Sequence, residues 1–163
     1  MIVRSMGPEN ADALYKLGLK EWKGEEWYSR RYVENILKAD VCDFRFGCFI
    51  QTGPEPATLI GALIARLIED ARGWICLMIV DKKHRRMGIG SNLMGAMFAK
   101  HQKLEHPNRI FVDVLYNDHQ AEQFYIANGF KLMAEVNHWF GEDQMARLFA
   151  STGWVKPPSK KSK

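Results

Sequence analysis

The clearest chemical signal in the chain is Arg85-x-x-Gly88-x-Gly90. An apolar run from Trp74 to Val80 leads into it, and an amphipathic run from Ile89 to Leu104 leads out, which reads as strand, basic glycine-containing turn, helix. A turn of this kind aims backbone N–H groups and a helix N-terminus at one point, here flanked by Arg85 and Arg86, and anionic phosphate suits that point. Glycine at positions 88 and 90 would let a phosphate reach amides that side chains would hold off. The Gly-Lys-Ser/Thr ending of a Walker loop is absent, and Leu93 stands where a dinucleotide fingerprint needs its third glycine. A basic solvated turn or a nucleic-acid patch is the competing reading of these residues.

A second segment, Asp118 to Phe130, follows a β-rich run from Arg109 to Tyr116. Asp118 suits a helix N-cap, Ala121 permits close packing, and Gly129 suits the left-handed position after a helix C-terminus. The Arg85–Gly90 turn together with the Asp118…Ala121…Tyr125…Gly129-Phe130 spacing resembles the GNAT superfamily of acyl-CoA-dependent N-acyltransferases, loosely from about Ile2 to Arg147. The resemblance implies acetyl-CoA as cosubstrate, no metal, and an amine acceptor. By the same resemblance, Met78, Ile79 and Val80 pair with pantetheine like an added strand, and a main-chain N–H near Ile79 or Val80 polarises the thioester oxygen. The stretch Arg86, Met87, Gly88, Ile89, Gly90 and Ser91, beside Arg85, is expected to wrap the pyrophosphate. Asp118 stands where the family usually has Asn, which puts a carboxylate near an anionic cofactor at the expected CoA contact.

Acyl transfer to an amine needs a neutral nucleophile and a protonated leaving thiol. Tyr125 matches the family position of the general acid; a core aromatic with a satisfied hydroxyl is its other reading. A phenol of pKa ~10 protonates a thiolate whose conjugate acid lies near ~8.5 only modestly uphill. Asp113, on the strand before Asp118, matches a glutamate proposed as base in the ribosomal-protein N-terminal acetyltransferase branch. Its alternative is a charged residue on the solvated face of an edge-like strand. Freeing a lysine amine at pH 7 costs ~4.6 kcal/mol, against ~1.4 kcal/mol for an α-amine. His138-Trp139-Phe140-Gly141-Glu142-Asp143-Gln144-Met145 is also similar to a segment of protein N-terminal acetyltransferases, with His138 read as a surface loop residue. Together these features favour a peptide α-amine as acceptor, with a small-molecule amine or a non-catalytic acyl-CoA-binding regulator as alternatives.

The elements that must position these residues follow from patterning. Strands are expected at Ile2–Met6, Phe44–Gln51, Ala57–Ile68, Trp74–Val80, Ile110–Leu115, Phe130–Val136 and Met145–Ala150. A helix carrying Ala11, Leu14, Tyr15 and Leu19 on one face follows the first strand, and a break at Lys23-Gly24 precedes a second helix around Trp27 to Leu37. Helices are also read at Ile89–Leu104, ending before Pro107, and at His119–Asn128. The order βααβββαβαββ gives an α/β (α+β) mixed central sheet with helices on both faces, the GNAT fold.

A chain of 163 residues with 47% hydrophobic content is expected to form one domain over 1–155. Lys156, Lys160, Lys161 and Lys163 carry the whole formal charge of +4, so 156–163 reads as a basic flexible tail and the body is formally neutral. That neutrality argues against nucleic acid, which calls for a broad basic face. Cys42, Cys48 and Cys76 lack metal-ligand spacing and read as buried reduced thiols. The first ten residues lack an apolar leader core, and the longest apolar stretch, Leu59 to Ile68, is far short of the ~20 residues that span a membrane. A cytoplasmic protein with no membrane partner is the expectation, acting alone or as a homodimer.

Overall fold

The computed structural model describes residues 1–22 and 25–152. Its elements follow the expected order: β1 (Ile2–Ser5), α1 (Ala11–Glu21), α2 (Arg30–Ile36), β2 (Phe44–Ile50), β3 (Thr58–Ile68), β4 (Arg72–Val80), α3 (Ile89–His101), β5 (Ile110–Leu115), α4 (His119–Ala127), β6 (Phe130–Gly141) and β7 (Gln144–Ser151). The seven strands form one sheet in the order β1-β2-β3-β4-β5-β7-β6. All neighbours are antiparallel except β4 and β5, which α3 connects as a parallel crossover. The break read at Lys23-Gly24 and the basic tail lie outside the described residues.

Both faces of the sheet are covered, each by its own core. Leu93, Met94, Met97 and Phe98 of α3 and Tyr125 of α4 pack with Ile75, Val112 and Val114 on one face. Leu14 and Leu17 of α1 and Val33 and Ile36 of α2 pack with Leu77 and Ile79 on the other. β3, at the centre, is buried from Leu59 through Ala65, so its apolar run is continuous rather than alternating. Among the described residues no helix is long and apolar enough to cross a membrane.

The buried stripe of α1 differs from the expected one. Leu14 is buried as expected, but Leu19 is exposed, and Leu17 and Gly18 face inward in its place. The reason is Tyr28, whose buried ring lies over Gly18 and whose hydroxyl donates to the Leu14 carbonyl at 2.6 Å. A Cβ on Gly18 would stand 2.0 Å from Tyr28 Cζ. Gly18→Ala is therefore expected to lower stability. Overpacking of this kind costs roughly 1–3 kcal/mol, against about 1 kcal/mol gained in helix propensity. A urea midpoint equal to or above that of the parent would show that Tyr28 moves aside without penalty.

Candidate active site

β4 and β5 pair only at Gly73↔Ile110 and Trp74↔Phe111, and beyond these two positions the strands separate. The backbone of β4 is thereby open on one side from Ile75 to Val80. Which residues use that side follows from register. The Asp81 N–H donates to the Ile60 carbonyl on β3 at 2.9 Å, so alternation turns Ile79 toward Ala62 on β3 and turns Met78 and Val80 to the opening. Of the two amides read as candidates for polarising a thioester, Val80 has the open orientation and Ile79 does not. A register shift opposite Ile64/Ala65 leaves Cys76 as an extra residue on β4, and the Cys76 carbonyl accepts the Tyr32 hydroxyl of α2 at 3.3 Å. Such a bulge re-aims the strand locally. No glycine or proline marks it in the sequence.

The turn after β4 is braced from inside. Asp81 caps a single 3₁₀ turn by accepting the Lys83 N–H at 2.9 Å, and it pairs with Lys20 at 3.1 Å. Burial pushes the Asp81 carboxyl upward, but the Lys83 amide and Lys20 outweigh it and hold the group below its ordinary value. The Arg85 guanidinium bonds to Glu21 of α1, to the Val80 carbonyl at 3.1 Å and to Gln120 of α4 at 3.4 Å. Arg85 thus ties three elements around the turn, whereas Arg86 makes no ion pair among the described residues. Arg86 and Gly88 both take left-handed backbone, with φ of 65° and 77°.

The two glycines of the motif serve different ends. Gly88 N-caps α3 in the left-handed conformation with open space where a Cβ would stand. Gly90 instead admits α4, because a Cβ there would lie 2.7 Å from the Phe124 ring. The Asn92 N–H to Gly88 carbonyl bond of 2.9 Å starts the helical ladder. The amides of Ile89, Gly90 and Ser91 therefore have no acceptor within the helix and point out of its N-terminus.

Tyr125 and Asp113 lie on opposite faces of the sheet. Tyr125 is 5% exposed, edge-on to Phe124 and Phe130, and burial, with Asp113 and Asp118 adding to it, pushes its phenol well above the ordinary value. Asp113 alternates with the core residues Val112 and Val114 and so faces the α1/α2 side. β5 is not an edge, since β4 and β7 lie on either side of it. Asp113 is half-buried and accepts the Trp74 indole N–H at 2.9 Å, which removes the reading of a solvated edge charge. Asp118 caps α4 by accepting the Ala121 N–H at 2.9 Å, and Gly129, with φ of 87°, follows its C-terminus.

The model of the Acetyltransferase (GNAT) family matches residues 11–130. The chain belongs to this family. It is an acyltransferase. No curated protein matches it by sequence. The solved structure of Arabidopsis thaliana NAA60 in complex with acetyl-CoA is similar at TM-score 0.79 and 14% identity, over 94% of this chain and 99% of that one. The ribosomal-protein-S18-alanine N-acetyltransferase of Escherichia coli is similar at TM-score 0.75 and 14% identity, over 99% of each chain. The aminoglycoside 6'-N-acetyltransferase of Enterococcus faecium is similar at TM-score 0.72 and 16% identity, over 93% of this chain and 96% of that one.

In this acetyltransferase the β6–β7 hairpin leans over the same opening. β6 runs five residues beyond its expected end, to Gly141, and a register shift between Val136 and Gly141 accompanies left-handed backbone at His138, φ 58°. His138 is thus in a bulged strand rather than a loop, and its Nδ1 bonds to the Glu142 carbonyl. Trp139, 43% exposed, stacks on Trp74 at 6.2 Å. Between Asp143 and the start of β7 (Gln144, Met145) and the end of β5 with the turn into α4 (Leu115 to Asp118) lies a cleft of about 470 Å³. Arg147 of β7 fixes the hairpin to α4 through Glu122 at 2.6 Å and pairs across the hairpin with Glu135 of β6 at 2.9 Å. Sequence reasoning missed Trp74 and Tyr32, which meet Asp113 and Cys76 across 39 and 44 positions of chain, respectively. Among the described residues no group of three or more His, Cys, Asp or Glu is arranged to hold a metal ion.

Proposed function

We propose that this enzyme, as a single domain over residues 1–155, transfers the acetyl group of acetyl-CoA directly to a primary amine, with a peptide α-amine as acceptor. The observation that carries the reading is the β4–β5 opening, with the Met78 and Val80 backbone turned into it and Asp113 held by Trp74 where the strands part; Tyr125 lies in the core of the opposite face. Met78 and Val80 would pair with pantetheine, and Val80 N–H would meet the thioester oxygen. Removing one such donor typically costs ~10²–10³ in rate. The amides from Arg86 and Met87 through Gly88, Ile89 and Gly90 to Ser91 would hold the pyrophosphate, with Arg86 as its cation and Arg85 as the brace.

The amine nitrogen bonds to the thioester carbon while Asp113 accepts its proton, directly or through one water. The C–S bond breaks with its electron pair on sulfur, and Tyr125 donates its phenolic proton to the thiolate. Amide and free CoA thiol leave, and proton exchange with solvent restores both side chains. Because burial raises its pKa, Tyr125 stays protonated across the physiological range, as an acid must.

The bulged hairpin carrying Trp139 and the low cost of freeing an α-amine support the peptide acceptor. A second reading, a small polycationic amine, is favoured by one feature: Asp118 and Asp143 both line the cleft. A thiol-release assay with acetyl-CoA separates the two. Short peptides with free N-termini are expected to turn over at least about tenfold faster than N-blocked peptides, since an α-amine is the easier nucleophile to free. Spermidine and aminoglycosides are expected to be poor substrates. The reverse order would move the enzyme to small-molecule acceptors.

A further inference from the structure

Trp74 is the second residue on β4 to pair with β5, opposite Phe111, and the strands part immediately after it. Its ring stacks near-parallel with two others, Phe111 at 6.1 Å and 18° on β5 and Trp139 at 6.2 Å and 26° from the bulged hairpin. The two near-parallel neighbours restrict the indole plane, and Nε1–H reaches Asp113 Oδ1 at 2.9 Å. An indole has one polar atom, a donor, and a carboxylate accepts at two oxygens. The contact therefore engages Oδ1 and holds the carboxylate at the point where the strands separate. Asp113 Oδ2 accepts no hydrogen bond from the described residues and keeps its lone pairs for a proton. The left-handed backbone at His138 and the shift between Val136 and Gly141 are what carry Trp139 onto the stack. Strain of that kind costs on the order of 1–3 kcal/mol and persists where the surroundings over-determine it.

We infer that Trp74 is a positioning residue, clamped by Phe111 and Trp139, whose indole N–H aims the Asp113 carboxylate at the acceptor amine. The inference rests on Asp113 being the base proposed above. A side chain that merely fills space would tolerate Phe at position 74 with at most a loss of stability, because an aromatic ring remains in the stack while the donor and the five-membered ring are lost. An aiming role would not, since misplacing a catalytic group by about 1 Å costs up to ~10²-fold.

The test is a double-mutant cycle on the full chain with Trp74→Phe and Asp113→Asn, reading kcat and the KM for acetyl-CoA. Trp74→Phe is expected to lower kcat about ten- to a hundredfold with that KM unchanged, and to add little once Asp113 is already Asn, because coupled partners are non-additive. If Asp113→Asn is slow while Trp74→Phe matches the parent, or if the two losses simply multiply, the positioning role is overturned and the base assignment stands. If Asp113→Asn itself turns over like the parent, the base assignment fails and this inference with it. A second measurement holds even where Trp74→Phe does not fold. The Trp74 indole N–H resonance is expected to move markedly in Asp113→Ala, and an unmoved resonance overturns the contact.

Discussion

Tyr125→Phe lowers kcat by ~10²-fold or more and leaves the affinity for acetyl-CoA largely intact, as loss of a general acid predicts. The phenol is buried against Phe124 and Phe130, so Phe fills the same volume and removes only the hydroxyl. That hydroxyl makes no hydrogen bond to the described residues, so its loss orphans no partner within the fold. The burial cuts two ways. An ordinary phenol protonates a thiolate across a gap of about 1.5 units, near 2 kcal/mol uphill, and burial widens the gap on the phenol side. The same low-dielectric surroundings raise the cost of a bare thiolate, so both partners shift together. The raised pKa also fixes a sign: ionisation of Tyr125 sets no basic limb below about pH 10. Measuring kcat, KM and the pH–rate profile of Tyr125→Phe beside the parent checks both points. A variant with parental kcat would return Tyr125 to the core and nothing more.

Periodicity and punctuation revealed the elements, and it is instructive where they did not reveal the site. The helix cap at Asp118 and the left-handed Gly129 are local features, each decided within a few residues, and each was readable. The β4 bulge at Cys76 was not. It arises because β3 and β4 fall out of register across Ile64/Ala65, a property of the pair rather than of either strand. The Trp74–Asp113 hydrogen bond likewise joins residues on strands adjacent in space but separated by a helix. Arg85 is the sharper lesson. Its charge and its place in the turn suggested a phosphate ligand, yet its donors reach Glu21, Val80 and Gln120. A basic residue in a phosphate-type turn can hold the turn's walls together, and only the partner list distinguishes the two duties. The hairpin runs long for the same reason: the expected strand stops at Val136 and His138 reads as a loop residue, whereas the β6–β7 pair continues through a register shift to Gly141.

Gly88→Glu abolishes CoA binding, with an expected loss of a hundredfold or more in Kd by titration calorimetry on folded protein. The geometry separates two contributions. At φ of 77° any side chain strains the backbone, on the order of 1–2 kcal/mol. That part is shared with Gly88→Ala. Nothing lies within 4 Å of a Cβ at Gly88, so the fold itself has room for the substitution. The charge is what Gly88→Glu alone adds. A carboxylate within about 4 Å of an anionic pyrophosphate costs roughly 4 kcal/mol per charge pair near a protein surface, nearly a thousandfold in affinity. Gly88→Ala should therefore bind CoA with a modest loss that does not vary with salt, while the affinity of Gly88→Glu recovers partly as ionic strength rises. Equal losses in the two variants would mean that backbone strain alone closes the turn. Unchanged affinity in Gly88→Glu would place the pyrophosphate elsewhere on the enzyme, and the outward amides of Ile89, Gly90 and Ser91 would then need another anion to explain them.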